Sequence, residues 1–300
     1  MFEMDQAMLI DTPAMAGSTR QVSQLLLSAL EEHWRDYRTE YKRCRAEFSN
    51  EAVHDLRVAT RRLLALIQVL NSISPRPNLK KLMRAFKGQL DAFDKLRDTQ
   101  VILAEVTETL LQLPQLQEFQ VYLQELEKGL LKTLRKKQKV IDLYDVSKRI
   151  HRLQASLETE SDHNPIVPLL QAVDDAFLIT QQRLRWINPA AATTIHRVRL
   201  AFKTFRYMVE VIHPLLNDFP PGNLKRMHEY QSRMGKIQDA EVILQALAEA
   251  PRDISSFDPE PVRRYYGGCH AEAISAYLAV TDQLATFWRP APDRSFPWEK

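Results

Sequence analysis

Two stretches of the chain carry the same alternation of apolar and charged positions. With His54 set at zero and about 100° per residue, Leu56, Leu63, Leu66, Ile67 and Leu70 fall between roughly 120° and 220°. On the same wheel Arg57, Arg61 and Leu64 gather in a different sector, centred at roughly 310°. With His196 at zero, Val198, Phe205, Met208, Val209 and Ile212 occupy the apolar sector, and Arg199, Lys203 and Arg206 the other. Each pattern predicts a helix with a core face and a separate cationic stripe headed by a histidine. Ser49 and Asn50 supply an N-cap for the first, and Pro189 stands near the start of the second. The next helix in each half is less clean. Leu79, Leu82, Met83, Phe86, Leu90 and Phe93 form an apolar face beside Lys80, Arg84 and Lys87, and Lys225, Arg226, His228, Arg233 and Lys236 occupy the comparable segment of the second half. A further cationic run, 132–139, follows on a third amphipathic pattern, and Pro75, Pro77, Pro114, Pro214, Pro220 and Pro221 break the chain between elements. About four helices per half is the economical reading.

The two halves match beyond their periodicity. His54-x-x-Arg57-x-x-x-Arg61 returns nearly half the chain later as His196-x-x-Arg199-x-x-x-Lys203. Lys95-Leu-Arg97-Asp98-x-x-Val101 returns as Lys236-Ile-Gln238-Asp239-x-x-Val242, at an offset that differs from the first by a single position. Two matches at nearly one spacing indicate an internal duplication with a period too long for a solenoid. The expected organisation is a disordered leader over 1–17, a first helical half over 18–155, a linker over 156–168, a second half over 169–290 and a proline-rich tail over 291–300 outside the core.

Composition narrows the chemistry. The chain has 7 glycines in 300 residues, where average usage would give roughly 20. No glycine-rich loop of the dinucleotide or P-loop kind can be assembled from them, and so few flexible residues argue against a turn-rich β fold. Cys44 and Cys269 stand too far apart in sequence for a zinc ribbon or a disulfide framework. No apolar run approaches the roughly 18 residues of a membrane span. Residues 1–17 contain Glu3, Asp5 and Asp11 and no Lys or Arg, unlike a secretory signal, so a cytoplasmic protein is expected. The formal net charge is +3, but it is unevenly spread: residues 54–97 hold ten Lys/Arg against three Asp, and residues 196–236 hold eight against three Asp/Glu. Positive charge in two places on an otherwise acidic body is the pattern of a polyanion site.

These residues resemble the CHAD family, the conserved histidine α-helical domain. The resemblance rests on Val53-His-Asp-Leu-Arg57-Val-Ala-Thr-Arg61 with Leu96-Arg-Asp98-x-x-Val101, and on Ile195-His-Arg-Val-Arg199-x-x-x-Lys203-x-x-Arg206-Tyr207 with Ile237-Gln-Asp239-x-x-Val242. It covers nearly the whole chain, roughly 18–290. It implies an all-α fold of two four-helix bundles related by a pseudo-twofold axis, with the basic stripes facing each other across a central channel. It also implies a module that binds inorganic polyphosphate rather than a catalyst, without cofactor or metal, through His54, Arg57, Arg61, His196, Arg199, Lys203 and Arg206. Lys80, Arg84, Lys87, Lys225 and Arg226 extend the candidate binding set. Two departures stand out: Leu64 occupies the place of Arg206, so the first half is expected to grip less tightly, and Gln238 occupies the place of Arg97.

Polyphosphate suits the residue types. Arginine forks bind phosphate oxygens in pairs, lysines act as point charges, and a histidine beside such a ligand is drawn toward its charged form. Association with polyphosphate granules is the role that would follow. The plainer reading of each stripe is a solvated helix face, and it loses ground because two copies lie in register. Asp91, Asp94 and Asp98, on one face, could seat Mg²⁺ but more simply hold neighbouring cations in place. Other functions are weaker: a nucleic-acid-binding helical protein would need exposed aromatics between the cations, and a phosphohydrolase would need a carboxylate cluster or phosphate loop. Glu158-Thr-Glu160-Ser-Asp162 lacks the lysine of the Glu-x-Glu-x-Lys strand motif in the triphosphatase domains that accompany this family, and a phosphohistidine at His54 or His196 is a further alternative.

Overall fold

The structure is a computed structural model and describes residues 19–136, 141–159, 165–250 and 258–299. These residues form nine α-helices and two short 3₁₀ turns, with no strand among them. The first half holds α1 (Thr19–Glu47), α2 (Asn50–Ile73), α3 (Pro77–Thr109), α4 (Leu116–Lys136) and α5 (Leu143–Thr159). The second holds α6 (Ile166–Arg185), α7 (Ala192–Ile212), α8 (Asn223–Glu249) and α9 (Pro259–Leu278). Packing runs in the same order in both: α1 on α2, α2 on α3, α3 on α4, then α6 on α7, α7 on α8, α8 on α9. Helix α5 is the fifth of a half expected to have four, and it folds back on α1 and α3.

Local chemistry explains the joints. Phe48 takes the left-handed conformation (φ 54°), and its N–H closes α1 on the Cys44 carbonyl at 2.8 Å. Ser49 then caps α2, its Oγ accepting from the Ala52 N–H at 3.2 Å. Replacing Ser49 by alanine should cost about 1 kcal/mol of stability, read as a lowered urea midpoint. Pro77 opens α3 at its first turn, where a missing N–H costs nothing. Helix α7 starts without a side-chain cap at Ala191; there the Asn188 N–H donates to Thr194 Oγ1 at 3.0 Å, and Thr194 Oγ1 donates to the Ala191 carbonyl at 2.7 Å. Gly222 precedes α8 at φ 83°, a conformation that favours glycine.

The halves share one core. Leu56, Leu63 and Ile67 of α2 belong to the same buried cluster as Val198, Phe205 and Val209 of α7, because α2 lies against both α6 and α7. A second cluster joins the far ends: Ile102, Val106, Phe119 and Leu123 of α3 and α4 pack with Ile243, Leu247, Val262 and Tyr266 of α8 and α9. The Tyr266 hydroxyl donates to Thr109 Oγ1 at 3.2 Å across that joint.

Two boundaries differ from the sequence reading. Of the 156–168 linker, 156–159 complete α5 and 166–168 begin α6, with Pro165 at the α6 N-cap; 160–164, like the 1–17 leader, lie outside the described residues. Of the 291–300 tail, the described residues 291–299 do not lie outside the core. Phe296 is buried, its ring 4.7 Å from both Trp288 and Trp298, and Trp298 Nε1 donates to the Asn217 carbonyl at 3.2 Å. The segment is anchored at its root by Arg289, fully paired with buried Asp174 at 2.5 Å and 2.9 Å, while Trp288 Nε1 donates to the same carboxylate at 2.7 Å. Prolines rule out a helix there, but the apolar area of Phe296 and Trp298 still favours burial.

Candidate anion-binding site

The cationic stripes of α2 and α7 come together where these helices meet. Arg57 is only 6% exposed. Its Nη2 donates to Asp94 Oδ1 of α3 at 2.6 Å and its Nη1 to the Leu90 carbonyl at 2.8 Å. One turn on, Arg61 is pushed down to about 10, by burial first and then by Arg57 and, from the other half, Arg199. Lys203, one turn beyond Arg199 on α7, is pushed down to about 6 by burial and by the fields of Arg61, Arg199, Arg206 and Arg57. Arg199 is likewise lowered by desolvation and by Arg57, against the pull of Asp239, Tyr207 and Asp98. These mutual effects make the four side chains one electrostatic unit drawn from both halves.

The ends of the stripes are organised by α3 and α8. Arg97 donates to Asn50 Oδ1 at the start of α2. The neighbouring His54 ring reaches solvent, yet its pKa is lowered by desolvation, then by Arg97, with Lys203 and Arg61 adding to this and Asp55 opposing it. In the second half Gln238 stands where Arg97 does and its Oε1 pairs with His196 Nδ1, so the first histidine faces a cation and the second an amide. Arg206 is buried and neutralised: it donates to Glu210 and, at 3.0 Å, to Gln231 Oε1, and its guanidinium sits 4.4 Å over the Tyr207 ring. Glu210 also lies 3.7 Å from Arg62 of α2. Asp98 and Asp239 are both raised, chiefly by desolvation, despite the arginines near them.

The remaining sequence-predicted residues are placed differently. Lys80, Arg84 and Lys87 are exposed on the stripe of α3 that continues to Asp91, Asp94 and Asp98, so Lys80 lies about 21 Å along the axis from Asp94 at about 1.5 Å per residue. They prolong the site rather than enter it. Lys225 is exposed and lies 4.0 Å from Glu229. Arg226 does not join the site: its Nη2 donates to Thr286 Oγ1 at 2.8 Å and its guanidinium covers Phe287, because position 226 falls on the α8 face that meets the C-terminal segment. Arg97, Glu210, Gln238, Asp239 and Tyr207 also belong to the site, beyond the histidines and cations of the stripes, and Asp94 holds a neighbouring cation as its place on the α3 face suggests. The Asp-x-x-Val partner motif, with Arg97 or Gln238 just before it, was the available signal. Asp94 is committed to Arg57, and among the described residues no group of three or more His, Cys, Asp or Glu is placed to hold a metal ion. No helix among them is long and apolar enough to cross a membrane.

Solved structures share this fold. The CHAD domain from the plant Ricinus communis superposes with a TM-score of 0.58 at 18% identity, covering 94% of this chain and 91% of that one. PptA from Streptomyces chartreusis gives 0.62 at 15% identity, covering 87% and 98%. No curated protein sequence matches the chain. The model of the CHAD domain matches residues 28–248, a span that contains both histidine-led stripes and both of their Asp-x-x-Val partners, and the chain therefore belongs to the CHAD-domain family.

Proposed function

We propose that this chain is a binding module for inorganic polyphosphate and not a catalyst, and that the anion lies in a channel between two duplicated halves, along the α2–α7 contact. The observation that carries this reading is the cationic cluster itself. Burial first, and then the fields of neighbouring cations, lower the pKa of Arg61, Arg199 and Lys203, and of these three and Arg57 only Arg57 has a carboxylate in ion-pair contact among the described residues. Such a cluster is self-repelling until a polyanion enters, which is why bringing four cations together points to a ligand rather than to fold stability. The family resemblance names polyphosphate. The site's chemistry fits it: a run of arginine forks and point charges with exposed continuations at Lys80, Arg84 and Lys87 suits a flexible chain of repeated phosphates. Tyr207, the aromatic side chain at the cluster, is buried beneath Arg206, so it offers no platform for a nucleobase. On this reading the module would carry itself, or what it is joined to, onto polyphosphate deposits, a role that co-localisation of a fluorescent fusion would display.

The direct test is a titration with long-chain inorganic polyphosphate at two salt concentrations. By analogy with single-stranded nucleic acids, about six phosphate contacts give a slope near −4 in log K against log salt, so affinity falls by roughly two orders of magnitude between about 50 and 200 mM. Single-stranded DNA at equal phosphate concentration should displace little of the ligand. Salt-independent binding, or displacement by DNA at parity, contradicts the proposal, and phosphate release from polyphosphate would contradict its non-catalytic part.

A further inference from the structure

The two halves hold their corresponding arginines differently. Arg57 is engaged by the Asp94 carboxylate and the Leu90 carbonyl. Arg199, at the same place in the repeat, has no carboxylate in ion-pair contact among the described residues, and its buried Nε has no hydrogen-bond partner. The cause lies on the neighbouring helix. The offset that takes Lys95 to Lys236 and Asp98 to Asp239 takes Asp94 to Gly235. Contacts on either side show that Gly235 is on the facing surface of α8. Gln231, four residues before it, accepts from Arg206, and Gln238, three residues after it, pairs with His196. Arg199 stands between those two partners on α7. The space is open too: a Cβ added at Gly235 would meet no atom within 4 Å. Glycine is disfavoured inside helices, and nothing packed on this one requires its small size.

Resting on the polyphosphate reading, we infer that the anion is gripped asymmetrically, with Arg199 as the open anchor and Asp94 as a built-in competitor that keeps Arg57 closed. Polyphosphate meets Arg199 and Lys203 without displacing any protein group. It reaches Arg57 only when Asp94, whose side chain is 53% exposed, turns out to water. Positions 94 and 235 thus set the affinity of the two ends of the site: a carboxylate at either one mimics the ligand's negative charge and occupies the adjoining guanidinium. The Leu64 position is less decisive than the sequence suggested, because its counterpart Arg206 is already bound to Glu210, and Gln68 stands where Glu210 would fall.

The experiment is a titration of long-chain inorganic polyphosphate into the full chain and three variants at one pH and salt concentration, with circular dichroism confirming equal helicity. Gly235→Asp should weaken binding by roughly tenfold or more, because the new carboxylate closes Arg199 as Asp94 closes Arg57. Gly235→Asn, of the same size without the charge, should lose far less. Asp94→Asn should tighten binding several-fold by releasing Arg57. Wild-type binding combined with equal losses for Asp and Asn at 235, or with weakening by Asp94→Asn, overturns the asymmetry and leaves the polyphosphate reading standing. Absence of wild-type binding removes both.

Discussion

Arg199→Gln combined with Lys203→Gln should weaken polyphosphate binding by roughly 10²- to 10⁴-fold and raise the urea midpoint of the free protein. The first effect follows from removing two charge-assisted contacts of about 1.5–3 kcal/mol each. The second follows from the cluster: both side chains sit among Arg57, Arg61 and Arg206, and desolvation opposes their charge. Both changes remove a burial cost: Arg199 is desolvated beyond what Asp239, Tyr207 and Asp98 return, and Lys203, lowered to about 6, must give up its proton on folding. Replacing the two by neutral residues is therefore neutral or stabilising. The opposite signs separate a binding role from a structural one, since a residue needed for the fold would lose both. Arg57 is the wrong place for this test. Its truncation strands Asp94 and the Leu90 carbonyl, so lost binding there would be confounded with lost structure. The salt dependence offers an independent reading: losing two phosphate contacts should flatten the slope of log K by about 1.4. Binding within threefold of wild type would show that the anion does not touch α7.

What could be read from the chain alone was whatever depends on one helix at a time. The 3.6-residue period set His54, Arg57 and Arg61 apart from Leu56, Leu63 and Ile67, and the matched spacing singled out Arg199 and Lys203 as their counterparts. What could not be read is which of those cations remain uncompensated, because that is decided by residues brought in from other helices. Arg57 and Asp94 are 37 residues apart, and Arg226 finds Thr286 at a distance of 60. Two arginines that both stand among cations on amphipathic helices can therefore end up on opposite sides of the outcome, one at the site and the other holding the C-terminal segment. Arg206 shows a finer case. Its partner Glu210 is one turn away and was visible, but the pairing matters only because α8 supplies Gln231 and α2 brings Arg62 to the same carboxylate. The C-terminal segment was misread for a different reason. Proline content reports local conformation, whereas the burial of Phe296 depends on Trp288 and on the Asp174–Arg289 pair, 115 residues apart in sequence.

Polyphosphate binding should weaken as pH rises from about 6.5 to 8.5, by up to tenfold per pH unit, and Lys203→Met should remove most of that dependence. Lys203 is lowered from the ordinary lysine value of 10.5 to about 6 in the free protein. The groups that face it are cationic on its own helix (Arg199, Arg206) and on α2 (Arg57, Arg61), with the titratable ring of His54 beside them and Asp239 of α8 the opposing charge. A bound polyanion reverses that balance and returns the amine toward its ordinary pKa. Between those two values the complex holds up to one proton more than its parts, so binding takes up a proton and is favoured by low pH. The free protein has the opposite sign. Its folded Lys203 binds fewer protons than the unfolded chain over the same window, so folding stability rises with pH from about 6 toward 10.5. His54, already below its ordinary 6.5, adds proton uptake only at the acid end. Inner phosphates of a long chain stay ionised throughout, which leaves the protein as the source of the effect. Calorimetric titration in two buffers of different ionisation enthalpy at about pH 7.5 measures the uptake directly. The expected value approaches one proton for wild type and falls close to zero for Lys203→Met. Equal uptake in the two proteins would mean that the anion does not reach the amine and would move the binding site away from the α2–α7 contact.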